Sequence, residues 1–223
     1  MLLALLLAAN ALPIEVVGFS PDDRYVAWIE HGVSEGSGYP WARLHVTDVS
    51  RSAEAAPAVE IKLDSGKDTD TEDAAVRKAR SAADPARARL RVASWLPART
   101  IRHDAGGELR ERSGAPIGTL RIEERAASGK GVPACDEPFR PLLLRLDMVF
   151  LDDDKPARLA QDKSVPKDRP CSSGCELAGV FAHGKAAVAF VKCDVQGFEG
   201  AGAKYSAYAG KLPYGLDEPL PPQ

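Results

Sequence analysis

Ile14-Glu15-Val16-Val17-Gly18-Phe19, Ser20-Pro21-Asp22-Asp23 and Arg24-Tyr25-Val26-Ala27-Trp28-Ile29-Glu30-His31 read in turn as strand, turn and strand. Two short runs of β-branched and aromatic residues flank a cluster that breaks any regular element. The glycine-rich Gly32 to Pro40 then leads to a third such run at residues 42–49, and Val59 to Leu63 alternates apolar with polar. The amino-terminal third is therefore read as antiparallel β.

The pattern changes near residue 71. Thr69 with Glu72 three positions on has the form of a capping box, and the Ala, Arg and Lys run that follows is strongly helix-forming. Asp84-Pro85 is expected to end that helix and start another turn, since Asp caps well and Pro is tolerated in a first turn. The arginines Arg77, Arg80, Arg87, Arg89 and Arg91 read as a solvated face. From Arg99 the chain returns to strands, at 99–104, 109–112, 117–124, 142–151, 157–161, 177–182, 186–194 and 205–209. Helices are too few to cross over parallel strands. The expected fold is mainly β: an antiparallel sandwich, partial barrel or propeller-like arrangement of sheets carrying one helical insertion at about 71–93. A weak internal repeat supports paired hairpins, because Gly18 to Ile29 can be laid over Val180 to Val191, matching Phe19 with Phe181 and Trp28 with Phe190.

With 223 residues, 44% hydrophobic and 27% charged, the composition excludes a disordered tail protein, a fibrous repeat and a multispan membrane protein. The net charge of −3 hides a gradient: residues 1–76 carry an excess of acid and residues 77–125 an excess of base. Mutual attraction of these two stretches accounts for the asymmetry, and no nucleic-acid motif accompanies the base. Nucleic acid is not an expected partner.

Leu2 to Ala9 is an apolar run followed by the small-x-small triplet Ala9-Asn10-Ala11, which reads as a signal peptide, residues 1–11. It leaves a single β-rich domain at 12–215, a disordered proline-rich tail at 216–223, and no membrane span after cleavage. Four cysteines, Cys135, Cys171, Cys175 and Cys193, favour two disulfides in an exported chain over a zinc site, which would want two tight pairs. Treating His183-Gly184-Lys185 as a three-residue hairpin loop sets Ala182 opposite Ala186. Carried back along both strands, that register sets Cys175 opposite Cys193 and leaves Cys135 for Cys171. A Cys171–Cys175 bridge across Ser172-Ser173-Gly174 is the competing pattern.

The phrase Gly18-Phe19-Ser20-Pro21-Asp22-Asp23-Arg24-Tyr25 resembles the opening of blades in periplasmic TolB-like propellers. Joined with Gly36-Ser37-Gly38-Tyr39-Pro40 and Gly197-Phe198-Glu199-Gly200, it is similar to a bacterial family of predicted secreted proteins of unknown function. In that family a GFSPDGRY phrase, a GSG(F/Y)P loop and a terminal GFEG phrase follow a signal peptide. Asp23 stands where the family usually has Gly. The resemblance implies export and a single β-rich domain, and it supplies no activity.

The Gly-x-Ser-x-Gly of Gly32-Val33-Ser34-Glu35-Gly36 lies in a glycine-rich connection between strands, not at the strand-to-helix turn that a nucleophile elbow needs. His31, His45, His103 and His183 lack the spacing of a metal pair and read as surface or edge residues. Asp152-Asp153-Asp154 lacks the glycine of a calcium loop and reads as a solvated turn. No cofactor and no metal are expected. The candidate ligand site is Glu30, Glu35, Ser37, Tyr39 and Trp41, where carboxylates beside aromatic rings suit a sugar or a peptide. The expected role is a non-catalytic binding or structural module of the cell envelope, its partner an envelope protein or glycan. The alternative is a carbohydrate-active or other envelope hydrolase using Glu30 and Glu35.

Overall fold

The computed structural model describes residues 12–34, 36–64, 66–67, 69–111, 113–151, 153–167, 169–197 and 200–213. The expected signal peptide, the tail at 216–223, Glu35 and Asp152 lie outside them.

Five strands, β1 (Ile14–Phe19), β2 (Tyr25–Val33), β3 (Pro40–Asp48), β4 (Ala53–Glu54) and β5 (Val59–Lys62), make one antiparallel sheet in which β3 holds both β4 and β5. Two helices follow, α1 (Glu72–Ser81) and α2 (Ala83–Arg89). The remaining strands are β6 (Arg99–His103), β7 (Glu108–Arg110), β8 (Pro116–Ala126), β9 (Leu142–Phe150), β10 (Asp153–Gln161), β11 (Ser172–His183), β12 (Ala186–Gly197) and β13 (Gly200–Lys211). They form an eight-stranded sheet ordered β10-β9-β8-β7-β6-β11-β12-β13. That sheet curls into a nearly closed barrel. Its end strands β10 and β13 press together so closely that a side chain at Gly210 would lie 2.1 Å from the Leu159 carbonyl oxygen. The mainly β, antiparallel reading with a helical insertion holds.

Three packed layers result. Ala75, Ala79 and Ala83 bury against Tyr25, Ala27, Ile29, Leu44 and Val46 on one face of the small sheet. The opposite face, with Phe19, Val26 and Trp28, packs on the outside of the barrel at Ala186, Val188, Phe190 and Ala209. Leu109, Leu144, Leu146, Met148 and Val191 fill the barrel. Because β2 is covered on both faces, Tyr25 to Glu30 are all buried, which explains its almost unbroken apolar run. The internal repeat acquires a packing meaning: Phe19, Val26 and Trp28 share one cluster with their counterparts Phe181, Val188 and Phe190. The two hairpins face each other across this layer.

Asp23 takes φ +56°, a left-handed conformation that Asp tolerates better than most side chains and Gly adopts freely. Its carboxylate accepts from the Lys185 amide at 3.3 Å, a contact between the two hairpin turns that glycine cannot make.

Three local expectations are corrected. The cap of α1 is Thr71, whose hydroxyl accepts from the Ala74 amide at 3.2 Å, whereas Thr69 sits in the preceding turn. Glu72 reaches His31 Nδ1 instead of closing a capping box. The helical break falls at Ala82, so Asp84 lies inside α2 and pairs with Arg87 at 3.3 Å. Thr71→Ala should cost about 1 kcal/mol in urea unfolding while Thr69→Ala stays within about 0.3.

The hairpin of β11 and β12 closes through two residues, Gly184 and Lys185, with Gly184 at φ +52°. His183 pairs with Ala186 and Ala182 with Ala187. A bulge between Leu177 and Gly179 then shifts the ladder by one residue, so Leu177 meets Val191 and Glu176 meets Lys192. Cys175 thereby comes opposite Cys193, and the structure bonds them with a Cα–Cα distance of 4.1 Å. Cys135 is bonded to Cys171.

Candidate functional site

Antiparallel pairing sets Trp28 of β2 opposite His45 of β3, and Glu30 opposite Arg43. Alternate residues share a face, so these four project toward β13 of the barrel. Between them lies a cavity of about 350 Å³, closed on its far sides by Ser52, Glu54, Asp162 and residues 204–208.

Two ionic networks furnish this cavity. In the first, the Lys204 ammonium donates to both oxygens of Glu30 at 3.2 Å, and Glu30 is only 5% exposed. The His45 ring stacks on the Trp28 indole with centroids 4.0 Å apart and planes 10° apart. Its Nδ1 lies 2.6 Å from Glu54 Oε1, while Nε2 is buried without a hydrogen-bond partner, 3.9 Å from Glu30 Oε2. Acids and bases thus alternate as Glu54, His45, Glu30 and Lys204, one from each of β4, β3, β2 and β13. The indole of Trp28 donates to Thr47 Oγ1 at 3.1 Å, and Phe190 meets it edge-on, so that ring is a wall rather than an open platform.

The second network lies where β10 and β13 converge. Arg169, fully buried, donates to Asp162, to the Tyr208 hydroxyl and to the Leu142 carbonyl. Asp162 Oδ2 also accepts from the Leu144 amide at 2.8 Å and from Tyr208 at 3.0 Å. Burial drives the Tyr208 phenol far above its ordinary range; Arg169 opposes that shift and Asp162 adds to it. Tyr208 is therefore a neutral donor at every physiological pH.

Of the expected site residues that the structure describes, only Glu30 lines this cavity. Ser37 and Tyr39 are exposed in the loop after β2, where the Ser37 hydroxyl accepts from the Tyr39 amide at 3.4 Å. Trp41 pairs with Gly32 and lays its indole against it, 3.4 Å from where a Cβ at position 32 would stand. His45 departs from the surface reading given to the four histidines, its side chain being 12% exposed. Sequence reading also passed over Glu54, Asp162, Arg169, Lys204 and Tyr208. Lys204 and Glu30 are 174 positions apart, and no local pattern announces such a pair. Among the described residues no group of His, Cys, Asp and Glu side chains is arranged to hold a metal ion, and no helix is long and apolar enough to cross a membrane.

No curated protein and no solved structure matches the chain. Residues 27–211 match the family described as predicted secreted protein (DUF2259), the two disulfides fit an extracytoplasmic location, and the chain belongs to that family of secreted proteins of unknown function.

Proposed function

We propose that the protein works in the cell envelope as a non-catalytic binding module, taking a hydroxyl-rich ligand of glycan type in the cavity between β3–β4 and β13. The observation that carries this reading is the lining itself. Charged groups fixed by buried partners stand around a space of about 350 Å³, within the range of small-ligand sites. Glu54, Asp162 and the hydroxyls of Ser52 and Ser206 offer acceptors, Arg43 and Lys204 offer donors, and Tyr205 and Ala207 add apolar surface. Sugars present that mixture of hydroxyl and C–H faces. The hydrolase alternative gains no support from this geometry, because both Glu30 oxygens are held by Lys204.

Ligand-observed NMR with a panel of free mono- and disaccharides tests the proposal. At least one should bind with a dissociation constant of about 1 mM or tighter, and Ala53→Trp, which fills the cavity from an exposed position, should abolish that binding. A panel without any binder, or a binder indifferent to Ala53→Trp, overturns it.

A further inference from the structure

We propose a second site, a receptor for a phosphate-type oxyanion, built by the glycine turn Ser128-Gly129-Lys130-Gly131 together with Arg125 and Lys163. It is independent of the glycan reading and occupies a different cavity, of about 440 Å³.

The outer rungs of β8 and β9 carry matched charges. Arg145 sits 2.6 Å from Asp147 and 4.0 Å from Glu123, and Arg158 of β10 adds to Asp147 at 3.7 Å. That pattern stops at Arg125, whose cross-strand partner is Leu143. Beyond it the Ala127 amide bonds the Pro141 carbonyl at 2.7 Å, so residues 128–140 leave the ladder as an excursion. The Cys135–Cys171 bridge clips that excursion to the start of β11. Gly129 and Gly131 take φ +118° and +84°, values that side chains rarely adopt. They place Lys130 at the tip, beside the cavity that Arg125 and Lys163 also line.

Three cations from three separate segments therefore surround one space that no carboxylate lines. Among the described residues none of the three has an ion-pair or side-chain hydrogen-bond partner, and the amides of residues 128–131 donate to nothing. Gathering like charges without a counter-charge is unfavourable, and an oxyanion relieves it by taking charge-assisted hydrogen bonds from the cations. The hydroxyls of Ser128 and Ser164, which line the same space, and the free amides suit its remaining oxygens. The chemistry is that of a phosphate group, free or on a lipid head.

Two probes separate the sources: calorimetric titration with inorganic phosphate, and co-sedimentation with phosphatidylcholine vesicles with and without phosphatidic acid. The site variant is Arg125→Gln/Lys130→Gln/Lys163→Gln. The control is Arg77→Gln/Lys78→Gln/Arg89→Gln, which removes equal charge from exposed positions on α1 and α2. Phosphate heat that the site variant weakens by about tenfold or more, the control by less than about twofold, assigns a soluble phosphate. Pelleting that depends on phosphatidic acid and is lost in the site variant alone assigns a lipid head. Failure of both probes, equal losses in the two variants, or an indifferent site variant overturns the proposal. Thermal melting checks that both variants are folded.

Discussion

Replacing Lys204 with Met should lower the unfolding free energy by about 3 kcal/mol, and adding Glu30→Gln to that variant should restore most of the loss. The asymmetry follows from desolvation. Glu30 is 5% exposed and its two oxygens take their hydrogen bonds from one ammonium. Without Lys204 the carboxylate stays in a low-dielectric wall, its nearest base the His45 Nε2 at 3.9 Å. A buried charge without a partner costs far more than the intact pair contributes. The Lys204 side chain keeps 22% of its exposure, which sets the expectation at the lower end of the usual range. Urea unfolding of the wild type and the single and double variants measures it. A loss below about 0.5 kcal/mol for Lys204→Met would class the pair with ordinary surface ion pairs and sink the argument.

The fold class was legible because its evidence is local. Alternation in Trp41 to Val46 and in Leu142 to Phe150 is a period-two pattern, and the structure buries every other residue there. Which strand neighbours which is not local. The pairing of β6 with β11 and the contact of β13 with β10 join segments some fifty to eighty residues apart, and chain pattern says nothing of them. Even within one hairpin the register escaped, since the ladder starts one residue out from the expected loop and returns to it only through the bulge near Ala178. The candidate site shows the same division. Glu30 stood out as a carboxylate leading into a stretch of glycines and aromatic rings, whereas its base arrives from β13 at the far end of the sequence. His45 read as a surface or edge residue because no spacing ties it to another histidine; the barrel covers its face, and no strand pattern encodes the cover.

Removing Cys175–Cys193 should cost about 3 kcal/mol and removing Cys135–Cys171 about 4, because the bridges close loops of 18 and 36 residues in the unfolded chain. Full reduction should then remove about 7 kcal/mol, a loss comparable with the whole stability of a typical protein of this size, about 5–15 kcal/mol. The reduced protein is thus expected to be marginally stable or unfolded. Alanine is the substitution of choice, since Cys193 is fully buried and serine would add an unpaired hydroxyl. Cys175→Ala/Cys193→Ala also leaves a small void against the barrel interior, which adds about 1 kcal/mol to its loss. The denaturant slope separates the two contributions. An unfolded chain freed of a cross-link exposes more surface, so the slope should rise in both variants, and more for the longer loop. Urea titrations of the two double variants and of the fully reduced protein provide the measurement. A fall in stability at constant slope would place the effect in native packing and defeat the chain-entropy account.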